Sequence, residues 1–412
     1  MVLSVERDME SNIKRWISSK EILAVIGPRQ CGKTTLLLRL KEDTTVSRLF
    51  KKVIYISFED DFEKSKFEKD PKGYVEYLIS GDTSKYLLLL DEVQYVSDAG
   101  KKLKLVYDSF PNLKVVISGS SSLDLRDVGK MLVGRVIFFD LFPFSFGEFL
   151  KAKDTNAYSY YLKNKFNLNL SSIGNYSFLD ILNKYLEEYL IFGGYPRVVL
   201  EKDVENKKVL LKNLFLTYVE KDVVKLYGDK FRSHIHGIVK YLASIKGSVL
   251  NYNDMASLNN VSFKELKEII HILEDTFVIK LVKPFHKNMI TELKKNPKVY
   301  FIDLGFRNFI ADRFFFSDDE KGFLLENYVL NCLRGKNVFY WRTTAKAEVD
   351  FVLSDDIIPI EVKVIPKISR SFRSFLKSYK PKNAFMINLM QFYNVDLDGS
   401  NVFVVPASLI DF

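Results

Sequence analysis

The sequence predicts an α/β protein built around a parallel sheet, and three observations carry that prediction. The first 140 residues alternate short apolar runs with helical patterns, the order that parallel strands and their crossovers require. One run, YLLLL at 86–90, is apolar throughout, as a strand covered on both faces must be. The first run feeds directly into GPRQCGKTT, a glycine-framed loop that fits G-x-x-x-x-G-K-[ST].

The candidate strands are 21–26, 53–58, 86–90, 114–118 and 136–140, with helical patterns at 33–41, 71–80 and 99–110. Gly27, Pro28, Arg29, Gln30, Cys31, Gly32, Lys33, Thr34 and Thr35 make the loop after the first strand. Its glycines let successive N–H groups turn toward a phosphate, Lys33 reaches the β- and γ-phosphates, and the Thr34 hydroxyl ligates Mg²⁺. The following helix adds the positive end of its dipole. ATP and Mg²⁺ are therefore the expected cofactors. The third strand delivers Asp91 and Glu92 to the carboxyl edge of the sheet, where ligands of open α/β sheets bind. There Asp91 is expected to hold the metal and Glu92 to polarise the attacking water. The fourth strand ends at Ser118 in the cluster Ser118–Ser122, whose hydroxyls are candidates for sensing the γ-phosphate.

From residue 144 to 230 the pattern is helical and reads as a lid. Ser145 and Glu148 form a capping box, a helix over 178–192 is closed by Gly193-Gly194 before Pro196, and a long helix covers about 203–227. Residues 231–313 read as a winged helix-turn-helix: two helices, a third opened by the capping box Ser262–Glu265, then a two-stranded wing. Such a module places its third helix in a major groove, or serves only as a packing module. The last part, 314–412, carries a helix near 320–333 and then the strands NVFYW, AEVDFVL and IPIEVKVI.

With 412 residues, 47% of them hydrophobic and 27% charged, the chain fits several globular domains. No apolar run approaches a membrane span, and the first residues lack the apolar core of a signal peptide. Two cysteines, Cys31 and Cys332, imply neither a disulfide framework nor a zinc site; a reducing, cytoplasmic setting is expected. The net charge of +9 favours an anionic partner such as nucleic acid. Between residues 277 and 313, eight Lys or Arg (Lys280, Lys283, Lys287, Lys294, Lys295, Lys298, Arg307, Arg313) face three acids.

A second group of carboxylates lies near the C-terminus. Ten residues lie between Asp350 and Glu361 on consecutive strands, and Lys363 shares the face of Glu361 by the period of two. Two carboxylates meeting across a hairpin suit a metal that activates water against a phosphodiester, with Glu326 completing the shell. The nearby Lys363 would position that water or stabilise developing charge.

Together the motifs GPRQCGKT, LLLLDEVQ, SGSSS, LVGR, FPFSFGEF, FGGYP, TYVEKDV and LLEN…EVDF…IEVK make the chain resemble archaeal and bacterial ATPases of the AAA superfamily with a C-terminal restriction-endonuclease-like domain. The resemblance implies an AAA-type five-stranded core with one strand between those bearing the two Walker motifs. It casts Ser118 or Ser120 as the sensor and Arg135 as the arginine finger, with Arg126 the competing candidate. Because such a finger acts across subunits in many of these proteins, the resemblance points to a homo-oligomer as one arrangement. Asp350, Glu361 and Lys363 match the PD-(D/E)xK positions, with Val349 where a Pro often stands. The expected function is an ATPase that binds duplex or branched DNA, with metal-dependent cleavage in the C-terminal domain. The alternative is a nucleotide-dependent switch or scaffold whose winged helix and nuclease-like fold bind partners without catalysis.

Overall fold

Five strands, β1 (Ile22–Ile26), β2 (Lys52–Ser57), β3 (Tyr86–Asp91), β4 (Leu113–Gly119) and β5 (Val136–Asp140), form an all-parallel sheet in the order β2-β3-β4-β1-β5. The computed structural model describes residues 5–119, 128–166, 176–218, 228, 232–285 and 296–412. Two compact units divide the chain, one of Met1–Phe144 with Asp275–Phe277, the other of Ser145–Glu274 with Val278–Phe412.

In the first unit the three inner strands β1, β3 and β4 are buried at every position, while the edge strands β2 and β5 are partly exposed. The edge runs VIYI and VIFF are as continuously apolar as the inner ones, and β4 carries Lys114, so the gradient follows from strand order rather than from the runs themselves. On one face Leu23 and Val25 pack with Leu36, Leu37 and Leu40 of the helix Lys33–Glu42. On the other, Ile22, Ala24 and Ile26 pack with Leu103 and Val106 of the helix Ala99–Ser109. Each buried aliphatic side chain contributes about 1.5–3 kcal/mol, so the two layers outweigh any local propensity. Register pairs Ile26 with both Gly119 and Asp140, and Ser57 with Asp91. The carboxyl ends are thus level, and β4 separates β1 from β3. The helices Asp8–Trp16 and Asp61–Lys69 were not anticipated, because polar residues outnumber the apolar ones that each buries.

The second unit holds an eight-stranded mixed sheet of β6 (Ile279–Pro284), β7 (Lys298–Phe301), β8 (Val338–Arg342), β9 (Glu348–Leu353), β10 (Ile358–Val362), β11 (Asn383–Asn388), β12 (Tyr393–Leu397) and β13 (Ser400–Pro406). Its order is β12-β13-β11-β10-β9-β8-β6-β7. Both expected capping boxes form. The Glu148 N–H donates to Ser145 Oγ (3.1 Å) and the Glu265 N–H to Ser262 Oγ (3.2 Å), each glutamate answering the cap backbone. Helices Arg232–Ser244, Tyr252–Leu258 and Phe263–Asp275 precede the antiparallel pair β6–β7. Leu266, Ile269, Ile270 and Leu273 point into the core, as their spacing predicts, with Lys264 and Lys267 exposed. The strands assigned to the wing do not end there: β6 pairs parallel with β8, Lys283 opposite Phe339. One sheet therefore runs across the boundary drawn at 313/314.

Helices of the segment read as a lid pack within this unit. Phe146 and Tyr189 both meet Tyr328 of the helix Asp318–Cys332 edge-on, at 6.1 and 5.9 Å between ring centroids. The long helix spans Val204–Tyr218; its expected continuation to 227 lies outside the described residues.

Asp303 explains why the sequence reads Gly-Gly after Phe192. Its fully buried carboxylate accepts from the N–H of Gly194 (2.7 Å) and of Phe306 (2.8 Å). A Cβ on Gly193, whose φ is +75°, would stand 2.2 Å from Asp303 Oδ1. Burial pushes the Asp303 carboxyl up from 3.8 to about 6, against the opposing pull of those N–H groups. The folded state then binds this proton more tightly than the unfolded chain, so the group's stabilisation is fully present below pH 3.8 and lost as pH rises through 6. The expected span is about 3 kcal/mol at most. Denaturant midpoints of wild type and Asp303→Asn, compared at about pH 4.5 and pH 7.5, should show wild type gaining on the variant at the lower pH. A pH-independent difference would rule this out.

The basic stretch 277–313 is less cationic outside than its composition suggests. Lys298 is 3% exposed and lies between Glu326 and Glu348. Arg307 is 1% exposed, paired with Glu320 at 2.6 Å and donating twice to the Ala243 carbonyl. Two of the eight charges are thus neutralised internally; Lys287, Lys294 and Lys295 lie outside the described residues.

Candidate functional site

At the level carboxyl edge of the first sheet, the loop 27–35 leaves β1 and enters the helix Lys33–Glu42. Its two glycines work differently. Gly32 takes φ +102° at the helix N-cap, and Gln30 shares the left-handed region at +59°. Gly27 has no such requirement; a Cβ there would lie 1.9 Å from the Leu141 carbonyl oxygen, so the residue is glycine to let β1 pass that backbone. Pro28 and Cys31 are buried, Arg29 is half-buried, and Gln30, Thr34 and Thr35 are exposed. Burial pushes the Cys31 thiol up, which makes it an inert spacer rather than a nucleophile. Lys33 is 4% exposed, its ammonium held by the carbonyls of Gly27 and Pro28 at 2.9 Å each.

Asp91 is the hub. Thr34 Oγ1 donates to its Oδ2 at 2.6 Å, Tyr55 OH donates to the same oxygen at 2.8 Å, and Ser118 Oγ donates to Oδ1. Residues 34, 55, 91 and 118 come from four different segments, joined only because β2, β3 and β4 are adjacent and β1 ends level with them. Ser118 also accepts from the Glu92 N–H (3.3 Å), so it ties the two acids together. Glu92 has φ +56° and its carboxylate accepts from the Gln94 amide. Sensor candidate Ser120, with Ser121, Ser122 and Arg126, lies outside the described residues.

Arg135 is not brought to this edge. It precedes β5, its carbonyl accepts from the Ile22 N–H, and its side chain pairs with Asp108 at 3.2 Å over the Tyr107 ring. Strands of five residues separate it from the loop by about 16 Å.

Two residues were missed. Tyr55 carries no motif, and its role depends on β2 lying beside β3; burial, then the Asp91 charge, holds its phenol well above the ordinary range, so it remains a donor. Arg7 donates to the Cys31 carbonyl (2.8 Å) and the Phe142 carbonyl (2.7 Å), bracing the loop from the N-terminal helix. Its only sequence signal is the Glu10 that follows three residues later and closes a capping box.

The C-terminal carboxylates do converge. Register places Ile360 opposite Phe351, and one step further lie Glu361 and Asp350. Lys363 Nζ is 2.9 Å from Glu361 and 3.6 Å from Asp350. Asp350 also accepts from the Val362 N–H (2.8 Å), and Ser369 Oγ donates to Glu361 Oε1 (3.2 Å). Glu361 Oε2 is buried with no hydrogen-bond partner. Burial, then the Asp350 charge, pushes the Glu361 carboxyl up to about 7. Glu326 is engaged otherwise: it accepts from Tyr300 OH and from Lys298 (3.2 Å). Burial pulls the Lys298 ammonium down, but Glu326, Asp350 and Glu348 outweigh it and the net shift is upward. Among the described residues no group of three or more His, Cys, Asp or Glu is arranged to hold a metal ion. Lys363 thus bridges Asp350 and Glu361, and Lys298 bridges Glu326 and Glu348; Lys298 had no signal beyond its charge.

A strand, a Gly-Lys-Thr loop and a helix, with an acid from a non-adjacent strand, make the arrangement of a P-loop fold. Residues 19–150 match the family described as AAA domain, and they are an AAA-type P-loop domain. Residues 183–315 and 321–410 match two families described as domains of unknown function, DUF8612 and DUF4143. The chain is similar to an uncharacterized protein of Haemophilus influenzae, 24% identical over 97% of this chain and 98% of that one. It is also similar to an uncharacterized protein of Methanocaldococcus jannaschii, 28% identical over 85% of this chain and 75% of that one. Among solved structures, AMPPCP-bound DnaA from Aquifex aeolicus aligns with 65% of this chain and 85% of its own at 19% identity and a TM-score of 0.29. Among the described residues no helix is long and apolar enough to cross a membrane.

Proposed function

We propose that the chain is a cytoplasmic ATPase of AAA type that binds DNA, and that its C-terminal domain acts on that DNA. The observation that carries the ATPase reading is Thr34 Oγ1 at 2.6 Å from Asp91, with Lys33 buried behind the same loop. Lys33 now sits on two neutral carbonyls; a phosphate oxygen would be the better partner, because charge-assisted hydrogen bonds are roughly twice as strong. Thr34 and Asp91 offer the hard oxygens that Mg²⁺ takes, and the ion would supply charge neutralisation at the β- and γ-phosphates. Glu92 orients and deprotonates water, Ser118 fixes both acids, and Arg135, far from its own loop, serves the site of another subunit in a homo-oligomer.

The three helices and the β6–β7 pair support a winged helix that meets duplex or branched DNA through the start of Phe263–Asp275. The helix Asp318–Cys332, the antiparallel β8–β9–β10, the helix Arg370–Tyr379 and β11 parallel to β10 support a restriction-endonuclease-like domain. Its metal ligands would be Asp350 and Glu361, whose unpartnered Oε2 suits one. Purified protein should nick or cut DNA with Mg²⁺ or Mn²⁺, and Asp350→Ala should abolish cutting while ATP turnover continues. Absence of cutting by wild type with either metal removes the nuclease part. The lysine bridging of all these carboxylates favours the second reading, a nucleotide-switched scaffold, in that event.

A further inference from the structure

We propose that the helix Arg370–Tyr379 and its flanks form a surface that grips the phosphate backbone of duplex DNA, distinct from the β6–β7 hairpin. From residue 362 to 395 the chain carries seven Lys or Arg and no Asp or Glu. Lys363 turns toward Glu361, and the other six, Lys367, Arg370, Arg373, Lys377, Lys380 and Lys382, are all exposed. Among the described residues of the hairpin side, Lys298 and Arg307 are buried in ion pairs, exposed Lys280 has Glu274 at 3.8 Å, and Lys283 is exposed.

The helix is two-sided. Phe372, Phe375 and Leu376 are fully buried against Trp341, Val349, Val352 and Val402, which leaves the charged side for a partner. Arg370, Arg373 and Lys377 recur at i, i+3 and i+7, so they share one face over about 10 Å of axis. Exposed Ser374 and Ser378 lie beside them as further donors. Asp398 lies 4.0 Å from Lys377, an exposed pair that holds the lysine only weakly. A duplex presents one charge per roughly 1.7 Å, dense enough to engage all three cations together. An anionic membrane suits the surface less well, because the apolar side that would insert is already committed to the core. The N-cap Ser369 bonds to Glu361 Oε1, so a backbone seated here begins beside the C-terminal carboxylates. This deepens the DNA-binding part of the proposed function and is independent of the ATPase part.

The test compares the full chain with Arg370→Gln/Arg373→Gln/Lys377→Gln and with Lys280→Gln/Lys283→Gln. Binding to a short fluorescent duplex is followed by anisotropy across a salt series, with thermal melting to confirm folding. The triple variant should lose about tenfold or more in affinity at low salt and reduce the salt slope by about 2–3, since each phosphate contact contributes roughly 0.9. If the triple variant melts early, Arg373→Gln alone should lower the slope by about 0.9. Loss of binding in the hairpin variant with wild-type binding in the triple variant overturns this surface but leaves DNA binding standing. Absence of duplex binding by wild type at low salt, or binding to phosphatidylserine vesicles instead, overturns both.

Discussion

Replacing Lys33 with alanine is expected to lower ATP turnover by about 10²–10³-fold, the loss usual when a preorganised charge-stabilising donor is removed. Lys33 begins its helix, is almost fully buried, and holds the carbonyls of Gly27 and Pro28. Arg7 does not replace it, being committed to the carbonyls of Cys31 and Phe142. Removal has a second cost, since two loop carbonyls lose a charged donor, each at about 1–3 kcal/mol where burial excludes water. The variant should therefore bind nucleotide weakly and melt earlier than wild type. Lys33→Arg should rescue little, because a planar fork does not fit the space of a compact ammonium. Steady-state turnover and nucleotide affinity by calorimetry read both effects. Wild-type turnover in Lys33→Ala would sink the assignment of this loop as the phosphate site.

Glu92→Gln is expected to slow hydrolysis by about 10²–10⁴-fold, the range for loss of a positioned general base, while leaving ATP affinity nearly intact. The separation from Lys33→Ala follows from geometry. The Thr34–Asp91–Ser118–Tyr55 network involves the Asp91 carboxylate and not that of Glu92, which meets Gln94 instead. Only the Glu92 backbone N–H joins the network, through Ser118, and glutamine keeps that. The variant should retain unhydrolysed ATP in a single-turnover experiment read by chromatography of the bound nucleotide. Turnover within a few-fold of wild type would assign the base elsewhere.

Much of the first unit was legible because its signals are local. The run ILAVI followed by GPRQCGKT encodes strand, turn and helix within a dozen residues, and YLLLLDE encodes a buried strand with acids at its end. Each strand boundary fell within a residue or so of the observed one, since continuous burial writes itself as a continuous apolar run. The capping boxes at Ser145 and Ser262 were readable for the same reason: donor and acceptor are three residues apart. The C-terminal hairpin was readable through its alternation, which fixes Asp350 and Glu361 on one face once the register is set.

Other features were not legible because they depend on neighbours far apart in the chain. Tyr55 reaches Asp91 only because β2 is placed beside β3. Gly27 is required by Leu141, which sequence inspection could not place against it. The charge count over 277–313 gave the right sum and the wrong surface, because composition does not say that Lys298 and Arg307 face inward toward Glu326, Glu348 and Glu320. Conversely, the exposed cations of Arg370–Tyr379 stand out only when the helix is seen to bury Phe372, Phe375 and Leu376.

The amino-acid sequence by itself determined the P-loop at 27–35, the acid pair at Asp91 and Glu92, and the paired carboxylates Asp350 and Glu361, all through spacing that a strand or a turn imposes on near neighbours. Tertiary structure alone decided which hydroxyls converge on Asp91, that Arg135 stands at the far end of its strand, and that Lys298 and Lys363 bridge the C-terminal carboxylates. The physical reason is range. Backbone periodicity acts over a few residues, whereas hydrogen bonds and ion pairs between buried groups are set by which strands the sheet places side by side.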